Sequence, residues 1–178
     1  MKKLLSLLLI CTLLLSISTF GITSAGAKRA NKVVVPAKGY TPQKGDFVFF
    51  SYGHVGIVYK VSGKTITTIE GNINGTNCRN TKVGKRTWKT TDKKITYYIN
   101  ASSKVKRSVA KKAADKAYKA IGKNGKYICG HTKSWKGGIV EWDSIFCAYA
   151  MEQANIKPDV FKWSASISTW LENAKKLK

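Results

Sequence analysis

The chain has 178 residues, of which 32 are Lys or Arg and 9 are Asp or Glu, for a formal charge of +23. That length provides one domain with a proper core and excludes two comfortable ones. The charge either serves solubility or fits a polyanionic neighbourhood.

Residues 1–27 read as a signal peptide: Lys2 and Lys3, an apolar run from Leu4 to Leu15, and the small-residue site Ala25-Gly26-Ala27. Ile10, ahead of Cys11, is too large for a typical lipoprotein site, so the expected product is secreted rather than lipid-anchored. No later segment approaches the ~18 apolar residues that span a bilayer. For an exported chain, anionic cell-wall polymers or membrane surfaces are better partners for this charge than nucleic acid.

Residues 28–39 are basic and small, a linker containing Pro36, and residues 40–178 form the domain. Tyr40-Thr-Pro-Gln-Lys-Gly-Asp46 makes a turn that launches a strand at Phe47-Val-Phe-Phe50. In Gly53–Asn72, apolar and polar residues alternate on both sides of Ser62-Gly63-Lys64, which predicts a β-hairpin. With the turn centred on Gly63, opposing positions sum to about 126. His54 then faces Asn72, Gly56 faces Glu70, and the three polar side chains share one face. Val55, Ile57, Val61 and Ile69 take the other face. Gly56 leaves Glu70 room to lean toward the imidazole. A carboxylate beside a histidine fixes its tautomer and favours imidazolium, as a nucleophile's base requires. A hairpin histidine satisfied by its neighbours is the plainer alternative.

A Gly/Asn/Thr loop follows from Gly71 to Thr81, then strand-like sequence ending at Ile95–Ile99. From Ser102 the apolar period becomes helical through Val105, Val109, Ala113, Ala117 and Ile121, with Gly122 as a stop. Residues 123–141 read as an irregular loop. A helix is expected from an Asp143-Ser144 N-cap pair toward Asn155, and a last amphipathic helix over 164–176 with Ile167, Trp170, Leu171 and Ala174 inward. Strands first and helices after define an α+β domain. His131 reads as solvated, Trp142 as core, and Trp135 as the better surface aromatic.

Cys78, Cys129 and Cys147 remain after leader removal, and an odd count outside the cytoplasm implies one disulfide and one thiol. A Cys78–Cys129 bridge would leave Cys147 as the thiol. No C-x-x-C or paired His/Cys spacing occurs, so neither a metal site nor a cofactor is expected.

The stretch YTPQKGDFVFFSYGHVGIVYKVSGKTITTIEGN resembles the second half of a CHAP domain, a papain-like family of secreted and phage peptidoglycan hydrolases related to the NlpC-type cell-wall peptidases. The resemblance implies that His54 is the catalytic histidine, Glu70 its orienter and Asn72 a supporting polar group. In that family the helical half carrying the nucleophilic cysteine comes first. Here Val109–Gly122, Trp142–Ile156 and Trp163–Trp170 resemble that half and come last, so the resemblance implies a circularly permuted papain-like fold. The family's cysteine helix fits in two registers. Without a gap, Asp143 takes the nucleophile position. With one helical turn deleted, Cys147 takes it. The second register implies a monomeric peptidoglycan amidase or endopeptidase in which Cys147 attacks and His54 shuttles the proton. The first implies an inactive module that binds wall peptide or a protein partner. A basic antibacterial protein acting at anionic membranes would need an amphipathic basic helix outside the core, and that signature is weak.

Overall fold

The structure, a computed structural model, describes residues 32–73, 81–138 and 140–178. Its strands are β1 (Val34–Pro36), β2 (Phe47–Phe50), β3 (His54–Ser62), β4 (Thr65–Ile73), β5 (Lys82–Lys89) and β6 (Ile95–Ile99). They form one antiparallel sheet in the order β1-β6-β2-β3-β4-β5. The helices are α1 (Arg107–Lys119), α2 (Gly125–His131), α3 (Asp143–Gln153) and α4 (Ile167–Lys175), with 3-10 turns at Ala101–Ser103 and Pro158–Phe161. The architecture is α+β. The signal-peptide reading and the proposed Cys78 bridge fall outside the described residues.

Strand alternation divides the apolar residues between two faces. Phe47, Phe49, Val55, Ile57 and Ile69 face the helices and join the main core with Phe146, Ile145, Phe161 and Trp170. Val48, Phe50, Val58, Ile66 and Tyr98 form a smaller cluster on the reverse face. Helix α3 is buried at every position from Asp143 to Met151, as expected of a helix enclosed on all sides. Trp170 of α4 packs edge-on against Phe47 and Phe49, at 5.3 and 5.2 Å between centroids.

Several readings need correction. Residues 34–36 are an edge strand paired with β6, not linker; Pro36 suits an edge because it has no N–H for a ladder. The stretch read as irregular contains α2, a helix too short to show a period, capped by Asn124 Oδ1 accepting from Tyr127 N at 3.0 Å. Trp142, not Asp143, is the N-cap of α3, so Asp143 and Ser144 lie inside its first turn. Helix α4 starts later than expected, behind a Ser166 cap.

The hairpin register differs in detail. Ser62 pairs with Thr65, a two-residue turn at Gly63-Lys64, and a shift between Val58 and Lys60 restores the expected Gly56–Glu70 pairing. That extra residue reverses the alternation beyond it, so Val61 packs on the reverse-face cluster instead of with Val55 and Ile57.

Asp46 locks the sheet to α1. Its buried carboxylate accepts from Arg107 Nη1 (2.7 Å), Ala101 N (3.1 Å), Tyr40 OH (2.8 Å) and Gln43 N (2.8 Å). Gly45 before it has φ +96°, and a Cβ there would collide with the backbone of Ala110. Only glycine permits this close approach of turn and helix.

Candidate active site

His54 is the first residue of β3, placed by the Ser51–Gly53 loop, and pairs with Phe50 across the sheet. Glu70 lies on β4 opposite Gly56. A Cβ on Gly56 would sit 2.7 Å from Glu70 Cγ, so the absent side chain is what lets the carboxylate reach the imidazole. Glu70 Oε2 meets His54 Nε2 at 2.9 Å.

The other ring nitrogen belongs to the helical half. His54 Nδ1 meets Asp143 Oδ2 at 2.7 Å. Asp143 is the first residue of α3, where unpaired N–H groups and the helix dipole favour a carboxylate. Its second oxygen accepts from Ser144 N at 2.9 Å. Ser144 anchors this turn, donating through Oγ to Ala165 O at 2.5 Å while its own carbonyl accepts from Trp163 Nε1 at 3.0 Å.

All three groups are withdrawn from water: His54 is 8% exposed, Glu70 0% and Asp143 3%. Burial opposes the imidazolium, but hydrogen bonds and charge from Asp143 and Glu70 outweigh it and raise the His54 pKa to about 9. Burial likewise opposes the Glu70 carboxylate, and the bonds from His54, Thr68 and Trp88 reverse that, leaving its pKa below the ordinary value. At neutral pH His54 is therefore a buried cation with both N–H groups donated to carboxylates. Arg86 Nη1, 3.7 Å from Glu70 Oε2, balances the second negative charge.

Glu70 Oε1 also accepts from Thr68 Oγ1 and from Trp88 Nε1, the latter at 2.9 Å. Thr68 shares the strand face of Glu70, and Arg86 is its partner across β5. These residues were missed, although the period-two alternation that placed Glu70 also places Thr68. Arg86 and Trp88 needed the β4–β5 register, which no local sequence pattern sets. Tyr52 lies almost parallel to the His54 ring, 5.6 Å between centroids and 14° between planes, and is 50% exposed. Burial and the Glu70 charge, partly opposed by Arg86, raise its hydroxyl pKa.

Among the sequence candidates, His54, Glu70 and Asp143 come together. Cys147 does not complete a thiol–imidazole pair, because both ring nitrogens are occupied by carboxylates. It is 0% exposed, and burial, with the Asp143 and Glu70 charges, holds its thiol pKa well above the ordinary value. One helical turn beyond Asp143, it packs as a small apolar side chain in the main core. Asn72, at φ +54° near the end of β4, accepts from Thr81 Oγ1 at 2.6 Å, and Thr81 accepts from Trp142 Nε1 at 3.1 Å. It thus ties the strand end to the residue preceding Asp143. His131 is exposed and stacks on Tyr127 at 4.0 Å.

Residues 17–72 match the family model of the CHAP domain. The matched stretch takes in His54, Glu70 and Asn72 and ends before the helices that bring Asp143. The match supports a CHAP domain in this chain, with the peptidoglycan hydrolase-like function that such a domain suggests. No curated protein and no solved structure matches the chain.

Proposed function

We propose that, on the premise of this CHAP match, the chain is a secreted bacterial cell-wall protein whose His54 site holds wall peptide without cutting it. The observation that carries this reading is the carboxylate on each side of His54, at 2.7 Å from Asp143 and 2.9 Å from Glu70. Cleavage of an amide by a cysteine needs a thiolate and an imidazole able to take and return a proton. An imidazolium that donates both N–H groups accepts no proton. A carboxylate such as Asp143 is a poor nucleophile toward an amide, and the Cys147 thiol is buried and protonated. The arrangement keeps a nucleophilic site's geometry and replaces its reactive pair with an ion pair. The six strands preceding the four described α-helices are the order a permuted papain-like chain would have, and that permutation is part of the same proposal.

The half-exposed Tyr52 ring above His54 offers a surface on which a peptide can lie. The test is titration of the protein with a soluble peptidoglycan stem peptide, following the His54 ring by NMR and the peptide by mass spectrometry. The expected result is saturable movement of the His54 signal, lost in Tyr52→Ala, with the peptide mass unchanged. Peptide fragments, or saturation with no response at His54, would overturn the reading.

A further inference from the structure

A pocket of ≈ 600 Å³ lies away from His54, between the 42–44 turn, β3 and the start of α1, with Lys44, Lys60, Arg107 and Lys111 in its lining. Among the described residues of that lining none is acidic; Gln43 and Tyr59 are among the others. Two of the cations are already engaged: Arg107 by Asp46 at 2.7 Å and Lys44 by Asp115 at 2.5 Å. Lys60 and Lys111 make no ion pair or side-chain hydrogen bond among the described residues.

The helix end adds a second argument. Helix α1 begins behind Lys106 with no side-chain cap and no acidic residue in its first turn. The start of a helix carries partial positive charge and favours anions, yet here Arg107 and Lys111 stand beside it. Cations at that end raise the local positive potential, which an anion in the pocket would relieve. The pocket is a shallow, open groove rather than an enclosed cavity, so it suits several charged groups of a chain laid along it better than one small molecule held on all sides. Lysine ammonium groups bind phosphate as point charges without demanding one planar geometry. Nucleic acid fits less well, because the Tyr59 ring is covered by Lys44 Nζ at 4.6 Å and by Tyr118 stacked at 4.5 Å. A base would find no free aromatic face there.

We propose that this pocket binds the phosphodiester groups of an anionic polyol-phosphate polymer, at a site separate from His54 and its two carboxylates. The test measures binding of a labelled poly(glycerol phosphate) oligomer to the full chain at several salt concentrations. Lys60→Ala/Lys111→Ala is compared with Lys93→Ala/Lys94→Ala, a pair of equal charge in the exposed β5–β6 turn. The pocket variant is expected to bind about tenfold more weakly, as the removal of two partly exposed ion pairs implies. Its log-affinity against log-salt slope should fall by about 1.4, at about 0.7 for each phosphate that is no longer neutralised. The control pair should change both quantities far less. Equal weakening in the two variants would assign binding to the overall charge and overturn the proposal, as would no weakening in either. Tighter, equally pocket-dependent binding of a single-stranded oligonucleotide or of phosphatidylglycerol vesicles would overturn the choice of polymer. Neither substitution touches His54 or its neighbours, so the stem-peptide titration reports on that site independently.

Discussion

Raising the pH should neutralise His54 and loosen the contact between sheet and helix. Its pKa of about 9, against an ordinary 6.5, corresponds to about 3 kcal/mol of net stabilisation of the folded imidazolium, what remains after the cost of burial is set against the pull of the two carboxylates, at ~1.4 kcal/mol per pH unit. Because the folded value is raised, this stabilisation is fully present below pH 6.5 and is lost as pH rises through 9. Glu70 has the opposite sign: its depressed pKa contributes stability above the ordinary carboxylate value, lost as the pH falls through the folded one. The denaturant midpoint should therefore be highest near pH ~5–6 and decline toward pH ~9. The direct assay is an NMR titration of the imidazole; the chain has only two histidines, and His131→Gln leaves His54 as the sole signal. Asp143→Asn and Glu70→Gln should each move the midpoint down toward the ordinary value. A wild-type midpoint at or below 6.5 would mean that His54 is an available base, and the ion-pair argument would fail.

Gly56→Ala places a methyl group 2.7 Å from Glu70 Cγ; it should cost about 1–3 kcal/mol in chemical denaturation and lower the His54 midpoint, whereas loss of stability alone would mean that Glu70 does not depend on this gap. Cys147→Ala should cost about 1–2 kcal/mol, as a small fully buried truncation does, and leave the His54 titration in place. In the wild type, Cys147 should resist a thiol reagent until the protein unfolds, and rapid native labelling would contradict its buried, protonated state. Arg107→Ala should be the most destabilising of these changes, about 3–5 kcal/mol in urea unfolding, because it strips the charge partner from the fully buried Asp46. A destabilisation below about 1 kcal/mol would show that the backbone and Tyr40 donors satisfy that carboxylate alone.

The sheet side of the candidate site was legible because a strand period of two is rigid. Once His54, Gly56 and Glu70 are on one hairpin, they must share a face. The register survived through two compensating differences, a turn tighter by one residue and a shift at Tyr59. Val61, beyond the shift, went to the wrong face because a bulge leaves no mark in an alternating sequence. The helical half was harder to read. The fit of Trp142–Ile156 to a cysteine helix allowed two registers, and periodicity could not decide between Asp143 and Cys147, since both lie on one face of α3. The distance to His54 separates them, and only the tertiary packing supplies it. Thr68 was within reach of the same alternation as Glu70, while Arg86 and Trp88 came from a pairing that no local pattern encodes.

The most direct test of the account is incubation of the purified protein with insoluble peptidoglycan, followed by assay of both fractions. The proposed function predicts that the protein sediments with the wall and that no new amino groups appear in the supernatant, in the wild type and in Cys147→Ala alike. Release of amino groups by the wild type that disappears in His54→Ala or Cys147→Ala would contradict it.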